Sequence, residues 1–174
     1  TSDLSNYPAD DRSYVWGLQA MPGWNSKNNS ESSFCVPIRQ KVMSYAEVCL
    51  LKAEAALRGW NGAGDAKANY LAGIKASFEA ERAMVSDASL YSTANDNTYM
   101  TTGKVEWKGD ADFETHLEQI ITQKWLALYP NGTEAWTEFR RTGYPKLTPV
   151  KVSMESTINA ANGEFVKKLR YVDD

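Results

Sequence analysis

The chain has 174 residues, 43% of them hydrophobic and 24% charged, which is enough for one domain with a packed core and too apolar for a disordered tail. A formal net charge of -3 and an isoelectric point near 5.3, with no block of consecutive basic residues, argue against a nucleic-acid surface or a face that grips anionic lipid. No run of roughly 18 apolar residues is present to cross a bilayer, and the polar opening TSDLSNYPADD does not read as a signal peptide.

Residues 1–42 are rich in Gly, Pro, Asn and Ser, with SKNNSESS as the most polar run, and read as loop with short extended pieces. Tyr7, Tyr14, Trp16 and Trp24 give this segment a high aromatic density without helical period. Such rings serve either as buried staples that pin a long loop, the plainer reading, or as exposed faces on which a ligand stacks. Cys35 falls in this loop and Cys49 in the helix that follows. Neither has CxxC spacing or a His-rich neighbourhood, so both read as isolated thiols rather than metal ligands, with a Cys35–Cys49 disulfide left open.

Residues 43–85 read as a helical hairpin. Ser44 and Glu47 have capping-box spacing, which starts a helix that runs to about Arg58. Glu47, Glu54 and Arg58 form a narrow polar stripe, with Glu54 and Arg58 at the favourable i,i+4 spacing, while Val48, Leu50, Leu51 and Leu57 make the rest a burying surface. Ala53, Ala55 and Ala56 permit a neighbouring helix to come close. Gly59 ends the helix, and NGAGD is turn chemistry leading to a cap at Asp65. In the second helix Tyr70, Ile74 and Phe78 share a face, and Gly73, which costs about 1 kcal/mol against Ala, points to a close helix contact. The pair has the size and small/aromatic pattern of one tetratricopeptide-like unit, where about three are needed for independent stability.

Residues 86–109 are polar and read as a long ordered loop with one helical turn, carrying Tyr91, Asn95, Asp96, Asn97, Tyr99 and Trp107. Residues 110–145 read as a helix pair. Phe113, Leu117, Ile121, Trp125 and Leu128 recur on one face, widened by Ile120 and Ala127, with Asp110 or Asp112 as cap and a stop near Tyr129 before Pro130. Asn131-Gly132 supplies a turn, Thr133 a capping hydroxyl, and Gly143 with Pro145 the next stop. Residues 146–174 are irregular, with a turn at Asn162-Gly163.

Residues that carry chemistry elsewhere have plainer uses in this chain. His116 is the only histidine and lies off the apolar stripe, as a surface or satisfied structural histidine. Asp110/Asp112 and Glu114/Glu118 resemble a glycosidase acid and base less than they resemble charges complementing a helix dipole. Asn95-Asp96-Asn97 lacks the spacing of a calcium loop. Arg140-Arg141 reads as two basic residues in a last helical turn, pairing with Glu134 or Glu138, rather than as an anion clamp. Asn131-Gly132-Thr133 matches a glycosylation acceptor, but turn and cap explain the same residues. No catalytic residue, metal site or cofactor is assigned, and no HExxH, Walker-type loop, GxSxG or GxGxxG is present.

The ordered pieces IITQKW, NGTEAW and EFRRTGYP, with Arg140 to Pro145 the most specific, resemble the SusD/RagB family of nutrient-binding outer-membrane lipoproteins, in its SusD-like branch. MSYAEVCLLKAEAALRGW and NYLAGIKASFE upstream match as well, and together these pieces span about half of the chain. The resemblance implies a mainly α fold of tetratricopeptide-like hairpins with long ordered loops. It also implies that residues 1–174 are a carboxy-terminal part of a longer protein, anchored at the cell surface by an upstream lipidated cysteine. The implied role is capture of an oligomeric nutrient, a glycan or in some members a peptide, and its delivery to a SusC-like TonB-dependent transporter without breaking a bond. Loop aromatics nominate the ligand contacts: Trp16, Trp24, Tyr99 and Trp107, with Asn97 as a polar partner. A helical-repeat protein adaptor is the second reading and a glycoside hydrolase the third.

Overall fold

The computed structural model describes residues 42–83, 92–149 and 165. Five helices follow in order: α1 (Tyr45–Leu57), α2 (Ala66–Arg82), the short α3 (Asp96–Thr101), α4 (Phe113–Ala127) and α5 (Gly132–Thr142), with no strand among the described residues. α1 starts where its capping signal predicts, because Ser44 is extended and its hydroxyl accepts the Glu47 amide at 3.1 Å. It ends in a Schellman turn. Gly59 takes the left-handed residue at φ +74°, its N–H donates to Ala56, and the Trp60 N–H donates to Ala55, so carbonyls the helix would leave bare are satisfied. Asp65 then caps α2 by accepting the Ala68 amide at 2.7 Å.

α1 and α2 form the hairpin, and Gly73 sets how close they come. A Cβ at that position would stand 2.6 Å from Leu50 Cγ and 3.3 Å from the Ala46 carbonyl oxygen. Around this contact Ala46, Leu50, Ala53, Tyr70, Ile74 and Ala76 join Ile120 and Ala127 of α4 in one core. Leu50, Ala53, Tyr70 and Ile120 are fully buried in it. Cys49 is a buried free thiol, whereas Cys35 lies outside the described residues.

Three local expectations are corrected. α1 does not bury all its apolar residues: Leu51 is 37% exposed, while Glu47 and Glu54, expected as a polar stripe, are buried. α4 ends at Ala127 with Leu128 as its C-cap, close to the stop expected near Tyr129, but Phe113, expected on its burying face, stays partly exposed beneath the Arg58 guanidinium. The cap of α5 is Asn131, whose Oδ1 accepts the Glu134 amide at 3.3 Å; Thr133 already lies inside the first turn. Asp112 caps α4 as expected, and the Thr115 hydrogen bonds hold its carboxyl below the usual carboxylate range.

α5 is fastened to α1 and α4 by ion pairs to two buried carboxylates. Arg141 donates from Nη1 and Nη2 to both oxygens of Glu54, each at 2.7 Å, and from Nη2 to Glu138 at 2.7 Å. Arg58 adds its Nε to Glu54 at 2.9 Å, and Lys124 of α4 meets the other Glu138 oxygen at 3.0 Å. Each carboxylate therefore faces two cations, and this arrangement lets both be buried. Burial alone would raise the Glu54 carboxyl, but Arg141 and Arg58 outweigh it and hold the group below its ordinary value. Arg140 instead lies over the Trp136 ring, 4.8 Å from its centroid.

Candidate functional site

The segment between α2 and α4 carries the described candidate residues. α3 is a short helix inside it, longer than the single turn expected, and Arg82 at the end of α2 holds its start through an ion pair with Asp96. From Thr102 to Asp112 the chain has no regular element, yet side chains of α2 and α4 hold its backbone from beneath. The Tyr70 hydroxyl donates to the Val105 carbonyl at 2.7 Å, and burial pushes its pKa well above that of an ordinary phenol, which keeps the proton available. Gln119 Nε2 donates to the carbonyls of Lys104 at 3.1 Å and Glu106 at 2.6 Å, while its Oε1 accepts the Lys108 N–H at 3.4 Å. His116 Nε2 bonds the Lys108 carbonyl; because a carbonyl only accepts, this nitrogen carries the proton.

Trp107 sits between these clamps. Its ring stacks on His116, with centroids 4.2 Å apart and planes 6° from parallel, and meets Tyr70 at 5.2 Å. Tyr99 of α3 packs edge-on to Phe78 at 5.3 Å, and its hydroxyl donates to Gln123 Oε1 at 3.2 Å. Both rings are half-buried and pack against the core, so each keeps only part of its surface for another molecule. Asn97 is exposed on α3, and its carbonyl accepts the Thr101 hydroxyl at 2.7 Å. Asn97, Tyr99 and Trp107 lie along the segment between α2 and α4, whereas Trp16 and Trp24 lie outside the described residues.

Three participants escaped the sequence reading. Gln119 and Gln123 of α4 and Tyr70 of α2 bond the segment, although Tyr70 was expected only as a core residue. A signal was present: His116, Gln119 and Gln123 are spaced three and four residues apart, so they form a polar row beside the apolar stripe of Leu117, Ile120 and Ile121. On a buried helix such a row needs polar partners.

The described residues define an all-helical protein of packed hairpins with an aromatic-bearing segment pinned across two helices. A profile of the SusD-like family, described as Susd and RagB outer membrane lipoprotein, matches residues 19–174, and the chain belongs to that family. Solved structures agree. A chitin-binding SusD homolog from Flavobacterium johnsoniae is 40% identical, with a TM-score of 0.54 over 74% of this chain and 29% of that one. A SusD homolog from Bacteroides thetaiotaomicron is 39% identical, with a TM-score of 0.56 over 70% of this chain and 28% of that one. One from Bacteroides ovatus is 42% identical, with a TM-score of 0.52 over 68% of this chain and 28% of that one. The chain thus spans under a third of the length of these relatives. No curated protein matches it. Among the described residues no helix is long and apolar enough to cross a membrane.

Proposed function

We propose that this protein serves in cell-surface capture of an oligomeric glycan, in a lipid-anchored outer-membrane assembly that passes the cargo to a SusC-like TonB-dependent transporter, with no bond broken. The observation that carries this reading is membership of the SusD-like family, with a chitin-binding homolog at 40% identity. A segment that is irregular in backbone yet pinned at Lys104, Val105, Glu106 and Lys108 also suits a binding wall, because ligand then meets a formed surface. The contact set is Trp16, Trp24, Asn97, Tyr99 and Trp107. Within it Asn97 presents a side chain to solvent, and Tyr99 and Trp107 present the uncovered parts of their rings.

The test is a panel of soluble chitin, xylan and α-glucan oligosaccharides titrated against the protein, with product analysis. Binding without product formation, weakened in Trp107→Ala and Asn97→Ala, is the expected result. Binding to none of them refutes glycan capture, and product release returns the glycosidase reading. A protein-only adaptor is favoured by one observation: Tyr45 is 73% exposed and Trp60 67% exposed. That reading expects a barrel protein to co-purify and no glycan to bind.

A further inference from the structure

We propose that Gln119 is a positioning residue for capture, holding residues 103–109 in their ligand-ready shape before any ligand arrives; this rests on reading that segment as the ligand-facing wall. The segment's own backbone contributes little to its shape. Glu106 N–H reaches Thr102 and Ala111 N–H reaches Lys108, each at 3.3 Å, and neither forms part of a helical ladder. Its exposed Lys108 side chain adds one bond, from Nζ to the Gly103 carbonyl at 3.1 Å, so the buried hold on the segment comes from outside it.

Gln119 is suited to impose it. The side chain is buried on α4, and one planar amide serves three backbone groups: the Lys104 and Glu106 carbonyls and the Lys108 N–H. Two donors and one acceptor on a single uncharged head are the inventory of Asn and Gln alone, and Asn is one methylene shorter. The Glu106 carbonyl and Lys108 amide flank Trp107 on either side, so the same side chain sets where that indole emerges. His116 and Tyr70 assist, but each brings a single hydrogen bond, to Lys108 and Val105. Gln119 is the member whose loss frees the most of the segment.

Hydrogen exchange on the whole chain tests this, comparing wild type with Gln119→Leu and Gln119→Glu. Leucine keeps most of the volume and removes all three hydrogen bonds. A glutamate keeps the acceptor for Lys108 but sets a negative charge against two carbonyls. Amides of residues 104–109 should exchange about tenfold faster in both variants, while α1 and α2 keep wild-type rates. Whichever oligosaccharide of the panel binds wild type should bind about tenfold more weakly, equivalent to ~1.4 kcal/mol. In Gln119→Glu, part of both effects should revert together on acidification, as the protonated carboxyl donates again; exchange that recovers without affinity overturns the link between clamp and capture. Unchanged exchange at 104–109 overturns the clamp, and faster exchange with unchanged affinity overturns its role in capture. Failure of wild type to bind any oligosaccharide is seen before a variant is compared and overturns the underlying reading of the site.

Discussion

Removing Arg141 should cost this protein more stability than its position suggests. The side chain is 40% exposed and lies in the last turn of α5, where a surface arginine would matter little. It nevertheless makes three hydrogen bonds of 2.7 Å to two carboxylates whose side chains are only 7% and 8% exposed. In Arg141→Ala, Glu54 keeps Arg58 and Glu138 keeps Lys124, so neither carboxylate is left without a cation. Breaking a buried pair outright costs ~3–5 kcal/mol. The surviving partners and the partial exposure of Arg141 reduce this to roughly 2–3 kcal/mol, or about 5–10 °C in Tm for a chain of this size. Thermal unfolding followed by far-ultraviolet circular dichroism measures it. Arg141→Lys should recover less than half, because an ammonium cannot span both Glu54 oxygens. The pH dependence has a fixed sign. The Glu54 carboxyl is depressed in the folded state, so its contribution is complete above its ordinary unfolded pKa and is lost as pH falls through the lower folded value. The gap between wild type and Arg141→Ala should therefore narrow only in strongly acidic buffer. A Tm change under about 1 °C, or one abolished by 1 M salt, would show that the cluster behaves as a screened surface pair.

Three further outcomes follow from the packing. Gly73→Ala should destabilise by ~1–3 kcal/mol in denaturant titration despite alanine's better helix propensity, because the new Cβ meets the fully buried Leu50; trimming that neighbour in Gly73→Ala/Leu50→Ala should shrink the added cost of the glycine change, leaving the part due to the Ala46 carbonyl. Tyr70→Phe should cost ~1–2 kcal/mol by the same titration, since it leaves the Val105 carbonyl without its donor, and exchange at residues 104–109 should quicken. Gly143→Ala should cost ~1–2 kcal/mol through the left-handed backbone at φ +76° alone, since nothing lies within 4 Å of the new methyl group, whereas Gly132→Ala should leave Tm nearly unchanged.

The sequence by itself determined the helices, their main caps and stops, and the family. Ser44, Asp65 and Asp112 cap amides three residues on, and Gly59 and Gly143 turn the chain within one residue, so these signals are local and can be read in order. At α5 the expected cap, Thr133, lies inside the first turn, and Asn131, expected only as a turn residue, caps instead. Tertiary structure alone decided the long-range partners of the polar residues. Glu54 and Arg141 are 87 positions apart, and nothing local predicts that a glutamate expected on a polar stripe is buried under that guanidinium. The same holds for residues 102–112, where Trp107 stands out in sequence as a free aromatic and in the fold as a ring stacked on His116. A segment with no internal period takes the shape its neighbours impose, and here Tyr70, His116 and Gln119 on two packed helices impose it.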